Sequence, residues 1–127
     1  MIHHLSIAVP DLARSARFYD ACLSALGYAR VWTASDAIGY GPPDGGDGFA
    51  IKSAHGAILP ADAGSHIAFG AEDRKDVRAF HAAALAAGGV DNGPPGLREH
   101  YGPHYYAAFV LDPDGYRIEA VVNTGQG

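Results

Sequence analysis

Cysteine, methionine and tryptophan each occur once in the 127-residue sequence. A lone Cys22 cannot close an internal disulfide, which excludes a crosslinked scaffold and suits a reducing compartment. Its place in the chain is the buried side of a helix, where a thiol acts as an inert packing group. Basic residues are also few: nine Lys and Arg stand against fourteen Asp and Glu, for a net charge of −5. A surface of that sign does not suit nucleic acid, whose phosphates call for a basic face. No apolar run approaches the length of a membrane span, so no membrane partner is expected. The first residues lack the charged region and apolar stretch of a secretory leader, which makes the cytoplasm the expected location. What remains is the composition of a soluble globular chain, 48% hydrophobic and 18% charged. The length suffices for one domain with a real core.

The most informative feature present is an internal repeat. The stretch from His4 to Gly27 returns, 62 residues on, from His66 to Gly89. His4 falls on His66, Asp11 on Asp73, Phe18 on Phe80, Leu23 on Leu85 and Gly27 on Gly89. A second echo closes each half: Asp47-Gly-Phe-Ala-Ile-Lys52 matches Asp114-Gly-Tyr-Arg-Ile-Glu119 at an offset of 67. One supersecondary unit is used twice, over residues 1–53 and 65–123, and the extra residues of the second copy belong in loops.

Periodicity assigns the elements. Ile2–Val9 alternates as a strand, with Leu5, Ile7 and Val9 on a packing face and His4, Ser6 and Ala8 on the other. Pro10 ends it and Asp11 caps a helix whose apolar stripe is Leu12, Ala16, Tyr19, Leu23 and Leu26. Gly27 suits the position after the helix. Short strands follow at Tyr28–Thr33, Ala37–Tyr40 and Phe49–Ser53, the last with Phe49 and Ile51 on one face and Ala50 and Lys52 on the other. Residues 54–64 read as a linker. The second unit repeats the order: a strand from His66, a helix capped by Asp73 with Val77, Phe80 and Ala84 inward, and strands Tyr105–Leu111 and Tyr116–Val122. The Gly- and Pro-rich stretch 88–104 holds at most one short strand, near Leu97–His100, and a loop of that length often carries function. Asn123–Gly127 reads as a tail.

Strand parity then gathers a chemical set. His4 and His66 occupy equivalent positions on the faces opposite the helices, and Ile118, Ala120 and Val122 pack inward, which puts Arg117 and Glu119 on the open face. Two imidazoles and a carboxylate from three strands make a ligand set that leaves coordination positions open to substrate. Fe, Mn, Ni, Co and Zn as divalent ions all suit it, and ligand type does not choose among them. The competing reading keeps the histidines as hydrogen-bonded core residues and pairs Glu119 with Arg117. The equivalence of the two histidines in the repeat weighs for the metal. A four-residue turn at Asp112–Gly115 would set Ala108 opposite Glu119, with Tyr106 facing the cavity and Tyr105 away from it. Tyr106 would then hydrogen-bond a substrate oxygen, and His100 or His104 would shuttle a proton. The competing reading makes these aromatics a wall and the histidines loop decoration. Trp32, Tyr40 and Phe49 read as packing residues, His3 as directed to the helix side, and His55 and His81 as surface residues.

The two βαβββ units, the opening His4-Leu-Ser-Ile-Ala-Val-Pro-Asp-Leu, His66-Ile-Ala-Phe, and Asp112-Pro-Asp-Gly-Tyr-Arg-Ile-Glu119 resemble the glyoxalase / bleomycin-resistance / dioxygenase superfamily, also called vicinal oxygen chelate proteins, over nearly the whole chain. The resemblance implies an α+β fold in which tandem βαβββ units form a cupped mixed sheet, as a single domain over residues 1–127. It also implies a homodimer that completes the cup, and a divalent metal held by His4, His66 and Glu119. The metal would bind vicinal oxygens of a small substrate and stabilise an anion as a Lewis acid. Glyoxalase I-like members place a fourth ligand where this chain has Lys52, and a protonated amine cannot ligate. That departure points away from a lactoylglutathione lyase and towards three-ligand members such as extradiol dioxygenases and thiol transferases. Lys52 could bind an anionic group or act as an acid or base. The expected activity is a metal-dependent lyase, isomerase or dioxygenase with Glu119, Tyr106 and Lys52 in catalytic roles and Arg117, Tyr106, His100 and His104 against substrate. The alternative is a metal-free antibiotic-binding protein of the bleomycin-resistance type.

Overall fold

The computed structural model describes residues 1–54 and 65–125. Most of the linker at 54–64, with His55, and the last two residues of the tail lie outside them. The first unit runs β1 (Leu5–Val9), α1 (Leu12–Ser24), β2 (Ala29–Thr33), β3 (Ala37–Gly41) and β4 (Phe49–Ser53). The second runs β5 (Ile67–Gly70), α2 (Arg74–Ala86), β6 (Val90–Asp91), β7 (Gly96–Leu97), β8 (Tyr105–Leu111) and β9 (Arg117–Asn123). Each unit makes its own mixed sheet. The first has order β1-β4-β3-β2 and the second β5-β9-β8-β6, with β7 also on β8. β1 lies parallel to β4 and β5 parallel to β9. Among the described residues β1 and β5 therefore each have one strand neighbour and one open edge.

The helices start as their sequences require. The Asp11 carboxylate accepts from the Arg14 N–H at 3.1 Å, and Asp73 accepts from the Asp76 N–H at 2.9 Å, which satisfies donors the first turn leaves free. Cys22 is fully buried on α1, and burial pushes its thiol well above the usual range, which keeps it unreactive. The stretch between α2 and β8 differs from expectation. It carries two two-residue strands, β6 and β7, and none at Leu97–His100 beyond Leu97 itself. Pro94 and Pro95, which have no N–H to donate, separate the two pairings.

The hairpin from β8 to β9 also differs, and the difference reaches the site. The connection is one residue longer than a four-residue turn. The Gly115 N–H donates to the Asp112 carbonyl at 3.0 Å, and the Asp112 N–H donates to the Tyr116 carbonyl at 2.9 Å. Gly115 has φ +93°, the left-handed residue of the three-residue turn, Pro113 to Gly115, that the Asp112–Tyr116 bond closes inside this five-residue connection. Phe109, and not Ala108, thus stands opposite Glu119, and Tyr105 stands opposite Asn123. A shift of one residue exchanges the faces of the whole strand. Tyr105 and Phe109 share the face of Glu119, while Tyr106, Ala108 and Val110 turn toward the helices.

Both units contribute to one core. Val9, Phe49 and Ile51 of the first sheet, Val110, Ile118 and Ala120 of the second, and the buried faces of both helices form a single cluster. Phe49 and Phe69 meet edge to face across the two sheets, 5.2 Å between centroids. Because the packing faces are turned to this core, the helix-free faces are turned away from it. Polar ties cross between the units at matched places. The Tyr116 hydroxyl donates to the Ala8 carbonyl at 2.7 Å, and the Tyr28 hydroxyl donates to the Gly70 carbonyl at 2.8 Å. Ala8 and Gly70 are equivalent in the repeat. Asp112, 2% exposed, accepts from the Tyr19 hydroxyl at 2.6 Å and from the N–H groups of Asp114 and Tyr116, both at 2.9 Å. Burial pushes its carboxyl up, and those three donors pull against it. Arg14 pairs with Asp114 beside it.

Asp112→Ala removes an acceptor from three donors at once. It is expected to lower the unfolding free energy by about 2–4 kcal/mol in urea denaturation. A loss below about 0.5 kcal/mol would contradict the role given to this junction.

Candidate metal-binding site

Glu119 sits in the middle of β9, on the face away from the helices, between Phe109 of β8 and Ala68 of β5. It is 1% exposed. A carboxylate at that depth persists only with partners. The Tyr105 hydroxyl donates to Oε2 at 2.5 Å, and Nε2 of His66 lies 2.9 Å from Oε1. His66 immediately precedes β5, on the side shared with Ala68, and about half of its side chain is exposed. The carboxylate therefore reaches the surface through the imidazole. Burial, then the hydrogen bond and charge of Glu119, pushes the Tyr105 hydroxyl up to about 12. A cavity of about 400 Å3 opens over the pair, lined by His66, Tyr101, Tyr105, Phe109, Arg117 and Glu119 among others.

Several expected site residues lie elsewhere. Tyr106 is not in the cavity, because the longer hairpin loop reverses its face. Its ring packs on α2, with the Arg74 guanidinium 5.0 Å from the ring centre and the Arg78 guanidinium 3.4 Å from its hydroxyl. Tyr105 holds the position assigned to it in the sequence. His4 is exposed at the start of β1, and its Nδ1 lies 2.9 Å from Nδ1 of His3, which is likewise exposed and does not pack on the helix side. Among the described residues no group of three His, Cys, Asp or Glu side chains is close enough to hold a metal ion. His66 and Glu119 are brought together within the chain and His4 is not. Lys52 is exposed on the helix-free face of the first sheet, in register with Ala8 and Ala37. His100 stacks on Tyr101 at 4.1 Å, and Tyr101 packs on Tyr105 at 5.2 Å, so an aromatic row leads from Glu119 outward. His104 is exposed beside Gly125 and is not among the residues lining the cavity. His81 is not a free surface residue: it is mostly covered and lies 2.9 Å from Asp91.

The helix-free face of the first sheet is a floor of small side chains. Ser6, Ala8, Ala37, Gly39 and Ala50 share it with Lys52. Trp32, next to a bulge in β2, lies across Gly39, where a Cβ would come 2.2 Å from the indole nitrogen. Of the three aromatics read as packing residues, Tyr40 and Phe49 are buried and Trp32 is 38% exposed.

An imidazole nitrogen and a carboxylate oxygen that converge at 2.9 Å are the donor types a divalent transition metal takes, and they fit two of its positions. They supply half of a site, with the open cavity on the other side. Tyr105 was the residue missed from the sequence. The signal for it was Gly115, whose preference for positive φ marks the three-residue loop and so fixes the register.

Two repeated units, one with three strands after its helix and one with four, leave a hollow of small-molecule size on an open sheet face. The profile of the Glyoxalase/Bleomycin resistance protein/Dioxygenase superfamily matches residues 1–120, and the chain belongs to that superfamily. A glyoxalase/bleomycin resistance protein from Albidiferax ferrireducens T118 is 36% identical, with 93% of this chain and 94% of that chain covered and a TM-score of 0.78. A glyoxalase-related enzyme from Fulvimarina pelagi shares the fold at 24% identity, over 95% of this chain and 86% of that one, with a TM-score of 0.72. A V278E mutant of glyoxalase I from Zea mays shares it at 23% identity, over 94% of this chain and 45% of that one, with a TM-score of 0.68. A search of curated proteins found no match.

The raised Tyr105 pKa gives a direct check. In ultraviolet titration of the metal-free protein, Tyr105→Phe should remove a tyrosine step near about 12, and Glu119→Gln should move that step down toward about 10. The folded value lies above the unfolded one, so the stability this hydroxyl contributes is complete below about pH 10 and is lost as pH rises through about 12. A Tyr105 step at the ordinary tyrosine value in the wild type would contradict the bond to Glu119.

Proposed function

We propose that the protein is a divalent-metal-dependent enzyme of lyase, isomerase or dioxygenase type, acting on a small oxygenated substrate, with each site built from two copies of the chain. The observation that carries this is the buried Glu119 carboxylate meeting His66 at 2.9 Å on the wall of an open cavity. His4 supplies the third donor from a second copy. Support for that partition comes from the sheet edges. β1 and β5 both have an open edge among the described residues, and each carries its histidine at the same end. Ile2 and Leu5 beside His4 are 76% and 40% exposed and give a second copy apolar surface to cover. A second copy that lays its β1 against β5 would cover them and bring His4 to His66 and Glu119. The small-residue floor with Lys52 and Trp32 would then face the cavity from the other chain.

In such a site a bound divalent ion would supply Lewis-acid stabilisation of negative charge on a substrate oxygen. The chain's own residues do the rest. His66 and Glu119 hold one side of the ion. Arg117, on the face of Glu119, and Lys52, from the second copy, offer positive charge to an anionic group of the substrate. Phe109 and Tyr101 wall the cavity against water. Tyr105 stands at the carboxylate, on the cavity face expected for Tyr106. His100 stands at the outer end of the aromatic row, where a proton can pass to solvent.

A metal-free binder of the bleomycin-resistance type is the second reading. It is favoured by one observation: within one chain the described residues assemble no three-donor group. Elemental analysis and sizing of protein purified without chelator separate the two. The enzyme reading expects a dimer with stoichiometric Fe, Mn, Ni, Co or Zn, which His66→Ala and Glu119→Gln lose while circular dichroism is unchanged. A dimer that stays metal-free after soaking in these ions, and whose melting temperature no metal raises, contradicts it.

A further inference from the structure

The hydrogen bond from Tyr105 to Glu119 divides the two oxygens of one carboxylate. Oε2 accepts from the phenol at 2.5 Å, and Oε1 faces His66 at 2.9 Å. The division is built into the sheet. Tyr105 is in register with Asn123, so its ring runs along the open face past Val121 to reach Glu119. Tyr101 packs on that ring at 5.2 Å and holds it in place. Glu119 is itself 1% exposed and has little room to turn.

A carboxylate with both oxygens free can chelate an ion through both and occupy two coordination positions. With one oxygen held by a donor it presents a single oxygen. We infer that Tyr105 is a positioning residue that keeps Glu119 a one-oxygen ligand directed at the His66 side, an inference that rests on the metal reading above. A divalent ion held there would take one oxygen from Glu119 and would leave more room for a substrate that binds through two adjacent oxygens. Hydrogen-bonded partners of metal ligands act in this way by fixing orientation, and their loss weakens metal binding about 10–100-fold.

Tyr105→Phe removes one oxygen atom and keeps the ring. Tyr106→Phe is the control, since Tyr106 is the next tyrosine of the same strand and its hydroxyl lies 3.4 Å from Arg78, outside the cavity. Tyr105→Leu, which also removes the donor and keeps an apolar side chain at the position, serves if the phenylalanine variant does not fold. Affinities of the dimer for Mn(II) and Co(II) are measured by chelator competition, and the visible spectrum of the Co(II) form reports coordination number. Tyr105→Phe should bind both ions about tenfold more weakly, with a changed Co(II) spectrum, while Tyr106→Phe matches wild type in both. A Tyr105→Phe protein with wild-type affinity and spectrum, whatever its melting temperature, overturns the positioning role alone. A wild-type protein that binds neither ion overturns the metal reading and this role with it.

Discussion

A carboxylate removed from water has to be met by hydrogen-bond donors or by positive charge. Taking such an ion out of water costs several kcal/mol, and one hydrogen bond to a charged group returns only about 1.5–3 kcal/mol. Glu119 is in this position at 1% exposure, with a phenol on one oxygen and an imidazole beside the other. No apolar substitute for Glu119 would require a hairpin loop of that length or a tyrosine in that register. The arrangement spends stability at a place where the fold does not need a charge, which is the mark of a functional group more than of a packing one.

The position of that group follows from how the two units meet. Both turn their helices and apolar sheet faces to one core, held by Phe49 against Phe69 and by tyrosine hydroxyls on the Ala8 and Gly70 carbonyls. This satisfies the apolar faces and leaves each polar face looking outward. The two halves of the repeat carry complementary parts: a histidine, a lysine and an indole over a floor of small residues on one, and a histidine, a buried carboxylate and an arginine on the other. Neither half is a complete site. In the proposed reading a second chain joins them, added at the open edges of β1 and β5.

Much of this was legible in the residues. The repeat at 62 residues announced two equivalent units, and Asp11 and Asp73 cap the starts of both helices as expected. Parity put His66 and Glu119 on one face, where the structure holds them together. Register was harder to read. Asp112-Pro-Asp-Gly-Tyr can close a hairpin in four residues or five, and alternation along Tyr105–Leu111 is weak because Tyr105 and Tyr106 are adjacent and Ala107 and Ala108 are identical. With no side-chain contrast to decide it, the wrong tyrosine was turned inward. That His4 stands apart from His66 and Glu119 within one chain was not legible at all. Local pattern specifies which face a residue occupies, whereas the pairing of faces is decided by whole-unit packing.

The central claim is that one site draws His4 from one copy and His66 with Glu119 from the other. The direct measurement is metal content after mixing two defective proteins, His4→Ala and Glu119→Gln, with their dimers allowed to exchange. In a mixed dimer one site carries both substitutions and the other carries neither. The account predicts that each variant alone is empty and that the mixture recovers about a quarter of the wild-type metal content. A mixture as empty as its components, with mixed dimers shown to have formed, would contradict it.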